Sequence, residues 1–279
     1  MKDPTGKRLF ADRFPLIWRY FRSKLNATTF LAEDEPDYNL FHYNNRIGFK
    51  EKPVDHYFRP FVLQAQKFFA LKQRDGVLCL NNRPMHQIQL GYLRKFLQAY
   101  RNGSKFALFW LTEPMHSKYE GATFLDEDFA TFLADYYLLL RDSIFFFMSD
   151  HGHNFARTLL TPVGRLESDF PFFSVTLPSH LTAKRPEILL NLWENSRLVT
   201  SHFDLYATLR DIAQMDSWTE ILRAQDLGTN GKSLFRPLPM SRTCEDTLIP
   251  VERCPCIQTR PLTNRTMVDA IAKVKPELF

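Results

Sequence analysis

The chain has 279 residues, 44% of them hydrophobic and 24% charged, which sets it among globular chains able to bury a core and excludes a largely disordered one. Its 36 basic and 31 acidic residues leave a net charge of +5 that is scattered, with no basic run and no nucleic-acid module, so nucleic-acid binding is set aside in favour of a weak pull on anionic surfaces or substrates. No apolar stretch reaches the roughly 18 to 20 residues needed to cross a bilayer, and the first thirty residues lack a signal peptide's apolar segment.

Helical and strand patterns alternate along the chain. Met1 to Lys7 reads as entry into a domain already under way. Between Arg13 and Leu25 the residues Ile17, Tyr20, Phe21 and Leu25 fall at helical spacing, and Thr28 to Ala32 follows as a short strand. Glu33 to Arg59 is poor in periodicity and rich in Asp, Asn and Pro, which predicts a long loop of the kind that often carries function. Leu93, Phe96, Leu97 and Tyr100 form a helical stripe that leads into a strand over Phe106 to Leu111. Leu125, Phe129, Phe132, Leu133, Tyr136 and Leu140 share one helical face behind acids that favour a helix start. A strand over Ile144 to Ser149 comes next, then one over Pro171 to Leu177 and helices over Pro186 to Asn195 and Ser201 to Gln214.

This order predicts an α/β fold with a largely parallel central sheet and helices on both faces. The division expected is an α/β domain over residues 10–228 and a loop-rich, cysteine-containing tail over 229–279. Phe106 to Leu111 and Ile144 to Ser149 are expected as neighbouring parallel strands joined by a right-handed crossover through the helix 125–140, with His116 and Asp150 opening on one rim.

The apolar run Ile144 to Ser149 stops at Asp150, His151 and Gly152. A carboxylate and an imidazole at the carboxyl end of a buried strand stand where open α/β sheets place ligands, and the donor pair suits a divalent cation. The alternative is an Asp that caps the next turn beside a His that is merely hydrogen-bonded. Ser149, Asp150 and His151 cannot form a catalytic triad, because consecutive strand residues point to opposite faces. Gly152 would let the backbone turn sharply.

The cysteines are Cys79, Cys244, Cys254 and Cys256. A bridge from Cys244 to Cys254 or Cys256 would staple the tail in an oxidising compartment, whereas zinc binding lacks a fourth ligand at finger spacing. Asn26, Asn102 and Asn264 begin Asn-x-Ser/Thr sequons. Together these place the protein outside the cell or in the secretory lumen.

Phe147-Met148-Ser149-Asp150-His151-Gly152 resembles the metal-binding signature of the alkaline phosphatase superfamily, in which sulfatases and nucleotide pyrophosphatases carry an apolar strand ending in Asp-His-Gly or Asp-Asn-Gly. Phe106 to His116 and Thr200 to Leu209 match further segments in the expected order, the latter similar to a sulfatase helix reading roughly S-H-x-D-x-x-P-T-L. Phe14 to Trp18, Ala32 to Pro36, Tyr57 to Phe61, Gly164 to Glu167 and Arg242 to Asp246 together resemble a family of uncharacterised, sulfatase-like animal proteins known as a domain of unknown function. The likeness covers most of residues 10–256.

The resemblance implies a metal-dependent hydrolase or transferase of phosphate or sulfate esters. Asp150 and His151 would be two ligands of a divalent cation, with zinc, calcium and manganese all compatible, and His116 would face the substrate's anionic group. His153 would support His151 from behind, while His202 reads as a helix-start residue, and Arg165 with Glu167 as a surface ion pair. Two departures stand out. The superfamily's upstream metal acid and nucleophile have no counterpart here, Thr5 being the only Ser or Thr among the first twenty. Where sulfatases carry a Gly-Lys-Trp-His-like segment, this chain has Ala32-Glu33-Asp34-Glu35-Pro36, whose acids read by default as a solvated loop. The expectation is therefore an amino-terminally incomplete or inactive chain that carries half of a metal site, the alternative being a non-catalytic module that binds a partner or carbohydrate.

Overall fold

The computed structural model describes residues 8–43, 46–68, 72–74, 77–154, 157–214, 230–254 and 256. In chain order these form α1 (Ile17–Leu25), β1 (Thr28–Glu33), β2 (His56–Tyr57), α2 (Arg59–Phe68), β3 (Lys72–Arg74), β4 (Val77–Leu80), β5 (Arg83–Pro84), α3 (Met85–Ala99), β6 (Lys105–Trp110), α4 (Glu113–Ser117), α5 (Thr123–Leu140), β7 (Phe145–Met148), α6 (Pro162–Asp169), β8 (Phe173–Thr176), α7 (Ser179–Lys184), α8 (Pro186–Asn195) and α9 (His202–Ala213). None of these helices is long and apolar enough to cross a membrane.

The central strand β1 explains the layering. Its side chains alternate, so Phe30 and Ala32 enter one apolar cluster and Leu31 the other. On the Phe30 side lie Leu90, Leu93, Phe96 and Leu97 of α3, Val62 of α2 and Phe132 of α5. On the Leu31 side lie Trp18 and Phe21 of α1, Ile188 of α8 and Ile212 of α9. Each large side chain buried this way contributes about 1.5–3 kcal/mol, and a strand sealed on both faces reads as the continuous apolar run seen in the sequence. Helices thus cover both faces of the sheet. The helix α1 stops because Asn26 adopts a left-handed conformation, φ 47°, which Asn tolerates better than most residues.

The main sheet has the order β2-β1-β6 and is parallel throughout. β1 and β6 pair along their whole length, from Thr28 opposite Lys105 to Glu33 opposite Trp110. Gln89 of α3, fully buried, donates through Nε2 to the carbonyls of Ala32 at 3.0 Å and Trp110 at 2.9 Å, tying together the carboxyl ends of the two strands. β3, β4 and β5 make a small antiparallel sheet beside α3.

The pairing of Ile144 to Ser149 differs from expectation. β7 is hydrogen-bonded to β8, antiparallel, with Phe145 opposite Thr176 and Met148 opposite Phe173, and among the described residues no ladder joins it to β6. An apolar run records burial but not direction, and the connection through α6 is long enough to return the chain either way. β7 still packs near β6 through a shared neighbour, since Phe129 of α5 contacts both Phe109 and Phe147.

Residues 231–242 continue the core. Phe235 is fully buried in the Leu31-side cluster, and its carbonyl accepts from Asn191 Nδ2 at 2.8 Å. Asn195 Nδ2 donates to the carbonyls of Leu234 and Arg236 and its Oδ1 accepts the Leu238 amide, so α8 holds this segment by four amide hydrogen bonds. The boundary expected at 228–229 lies outside the described residues. Cys244 pairs with Cys254, Cα atoms 5.8 Å apart, which selects one of the two bridges the spacing left open, while Cys256 is a free, exposed thiol. Closing so short a loop limits the unfolded chain by nearly 3 kcal/mol in the chain-entropy treatment. Cys244→Ser should lower the urea unfolding free energy by about that much without changing the native circular dichroism; an unchanged midpoint would show the bridge to be thermodynamically idle.

Candidate functional site

Four segments meet at the carboxyl end of the sheet. From β1 come Glu33 and Asp34, from the end of β6 the short helix α4 with Glu113 and His116, from β7 the turn Ser149 to Asn154, and from α9 its first residue, His202. His202 Nε2 lies 3.2 Å from the Ser149 carbonyl, so it starts the helix as expected and also touches the end of β7.

The turn after β7 is shaped by a close approach rather than by an unusual φ. The Gly152 amide donates to the Ser168 carbonyl at 2.9 Å, and a Cβ on Gly152 would stand 2.1 Å from the Glu167 carbonyl oxygen, against α6 backbone. Gly48 is the only glycine with positive φ among the described residues, so the expectation of a sharp, glycine-specific turn at Gly152 gives way to one of tight packing.

Asp150 and His151 are half-exposed neighbours whose donor atoms converge. Asp150 Oδ1 accepts the His151 amide at 2.9 Å, a turn-capping role, while Oδ2 faces His151 Nε2 at 3.4 Å. On the other side of the ring Nδ1 stands 2.6 Å from the Gly152 carbonyl. A carbonyl only accepts, so Nδ1 is the ring's donor in this contact, while Nε2 faces the Asp150 carboxylate. Asn154 Nδ2 also lies 3.0 Å from Nδ1, and Asn154 Oδ1 accepts from the Ser168 hydroxyl.

A carboxylate oxygen and an imidazole nitrogen at this separation make an ion pair when the ring is protonated, and with Nε2 unprotonated the spacing fits a cation between them. Ligands about 2.0–2.1 Å from a tetrahedral zinc stand about 3.4 Å apart, and a metal-bound imidazole commonly donates its other N–H to a carbonyl. The donor chemistry therefore suits the divalent ion that the resemblance implies, but it supplies two ligands. Among the described residues, the one set of three His, Cys, Asp or Glu side chains gathered within 4.8 Å is Cys244, Cys254 and Cys256, in the tail, and the disulfide between the first two takes their sulfurs out of use as metal ligands.

His116 is exposed on α4, its ring 5.9 Å from that of Tyr38. Tyr119, three residues further on, packs edge-on against His153 at 5.7 Å, and its hydroxyl donates to Glu167 Oε2 at 3.4 Å. The segment carrying His116 thus meets the segment carrying Asp150 and His151. His153 packs on Tyr119, and Arg165 reaches the Leu159 carbonyl rather than Glu167, so the surface ion pair expected between Arg165 and Glu167 is replaced by separate partners. Thr5 lies outside the described residues.

The acids after β1 overturn the reading of a solvated loop. Glu33 and Asp34 are only 2% and 1% exposed. Asp34 spans the gap between strands: Oδ1 accepts the Thr112 amide at 2.8 Å and Oδ2 the Glu113 amide at 3.1 Å, so a residue from β1 caps the start of α4. Glu33 Oε1 accepts the Leu40 amide at 2.9 Å, whereas Oε2 has no partner. Tyr57 pairs with Leu31 in the sheet, and Glu33 shares Leu31's face, so the Tyr57 hydroxyl, also without a partner, is its diagonal neighbour. Burial raises both carboxyls to about 7, against the opposing hydrogen bonds from Leu40 to Glu33 and from Thr112 and Glu113 to Asp34.

These features define an α/β protein with helices on both faces of a parallel three-stranded sheet and a polar rim at the strands' carboxyl ends. A protein family described as "Protein of unknown function (DUF229)" matches residues 2–275, almost the whole chain, and the chain belongs to that family. No curated protein and no solved structure matches it.

Proposed function

We propose that this chain carries half of a divalent-cation site for phosphate- or sulfate-ester chemistry on an alkaline phosphatase-like fold, with Asp150 and His151 as two metal ligands and His116 placed for the substrate's anionic group. The observation that carries the reading is the facing pair Asp150 Oδ2 and His151 Nε2, with Nδ1 2.6 Å from the Gly152 carbonyl. A cation there would supply charge neutralisation at the transferring oxygens. The protein's own part is to orient the His151 ring through its Nδ1 contact and to bring α4, capped by Asp34, to the same rim. The Cys244–Cys254 bridge supports a secretory or extracellular setting for this chemistry.

A site with two protein ligands binds metal weakly and positions no nucleophile. Calorimetric titration with zinc or manganese should therefore show weak binding that disappears in the double variant Asp150→Ala with His151→Ala. Aryl sulfates and phosphate esters should turn over no faster with the chain than with that variant. Metal binding untouched by the double substitution would sink the ligand assignment, and robust turnover abolished by it would overturn the half-site reading. The exposure of both ligands and the lack of a third donor among the described residues favour a second reading, a non-catalytic module that binds a partner or carbohydrate.

A further inference from the structure

We infer that Asn26 and Asn102 are both N-glycosylated and that their glycans stand side by side at the amino-terminal end of the main sheet, opposite the polar rim. The inference rests on the secretory setting proposed above. Asn26-Ala27-Thr28 and Asn102-Gly103-Ser104 are far apart in sequence, yet each ends a helix-to-strand turn, the first leading into β1 and the second into β6. Those strands pair from their first residues, Thr28 opposite Lys105, and the Thr28 amide donates to the Ser104 carbonyl at 3.0 Å. The fold therefore brings the two sequons onto adjacent turns.

Both asparagines are exposed, as a bulky glycan requires. Asn26 projects from the left-handed residue that ends α1, where the chain leaves the helix. Beside Asn102 the surface opens into a hollow of about 440 Å³ lined by Arg101, Lys105, Arg141 and Asp142, which leaves room for the first sugars and offers them three cationic donors and a carboxylate acceptor. From Thr28 to Glu33 the strand advances about 16 Å, so both attachment points lie well away from Asp150, His116 and the buried acids. Glycans there keep the amino end of the sheet in solvent and direct ligand or partner access to the carboxyl rim.

The test is to secrete the chain from eukaryotic cells behind a cleavable leader, then release glycans with peptide N-glycosidase in heavy-oxygen water and map the peptides. Labelled Asp is expected at both 26 and 102, on molecules that lose two steps of gel mobility shift attributable to these sites; Asn26→Gln and Asn102→Gln should each remove one step. Peptide mapping keeps Asn264 apart from the count and needs no variant to fold. Unmodified Asn at either position in secreted, folded chain would overturn the inference while leaving the compartment untouched. Recovery of the native protein from cytosol, with Cys244 reduced, would instead overturn the secretory setting on which it rests.

Discussion

Replacing Asp204 with Ala should cost about 3–5 kcal/mol of folding stability, the cost of leaving a buried charge without its partner. Asp204 is fully buried and pairs with Arg242 at 2.6 Å, itself 2% exposed on the side chain. The same carboxylate accepts the Ser201 amide at 2.9 Å, tying down the start of α9, and the Lys232 amide at 2.8 Å. One side chain therefore joins three parts of the chain: the helix start that touches β7 through His202, the segment entering at 231, and the arm leading to the Cys244 bridge. A domain is stable by only about 5–15 kcal/mol, so the loss would be a large share of the total. Chemical denaturation of Asp204→Ala and Arg242→Met measures it. The Arg variant should also be destabilised, though it leaves the carboxylate its two backbone donors, and a double-mutant cycle should show coupling between them. A loss below about 1 kcal/mol for Asp204→Ala would mean that the pair is exposed in solution.

The elements that were legible in the sequence are those whose signal is local. Ile17, Tyr20, Phe21 and Leu25 sit at helical spacing and form α1; the runs at 28–32, 106–111 and 144–149 became β1, β6 and β7 within about a residue; Pro186 to Asn195 matches α8. The helix start read at His202 is likewise local, and there the Asp204 carboxylate accepts the Ser201 amide. What the sequence hid depends on contacts between distant segments. The direction of β7 against β8 is set by the return path through α6, which apolar patterning does not record. The burial of Glu33 and Asp34 depends on the amides of Thr112 and Glu113 arriving 78 and 79 residues later to occupy the Asp34 carboxylate. A signal was nevertheless available: the acids directly follow a strand apolar on both faces, at the end where helix starts with unsatisfied amides gather. The Asp150–His151 pair was legible as a motif, but the Nδ1 contact that orients His151 belongs to the folded turn.

Those buried acids make stability depend on pH in a defined direction. Burial holds the Glu33 carboxyl at about 7 in the folded chain against 4.5 ordinarily, with the Leu40 amide opposing and the Asp34 charge adding to the rise; Arg59 opposes it too. Between these values the folded state keeps a proton that the unfolded state has released, so stability falls as pH rises from about 4.5 to 7 and stays lower above it. The shift corresponds to a loss on the order of 3 kcal/mol for Glu33 alone, and Asp34, raised from 3.8 to about 7, acts in the same direction over a slightly wider window. Glu33→Gln keeps an acceptor for the Leu40 amide while removing the titration. At pH 8 the variant should be more stable than the parent by a few kcal/mol, and at pH 4 the two should coincide, because the parent's Glu33 is then protonated in both states. Urea unfolding of both chains at pH 4, 6 and 8 reads this out. Parallel pH profiles for the two chains would show that Glu33 ionises in the fold as it does in water, and with it the buried environment assigned to the end of β1 would fail.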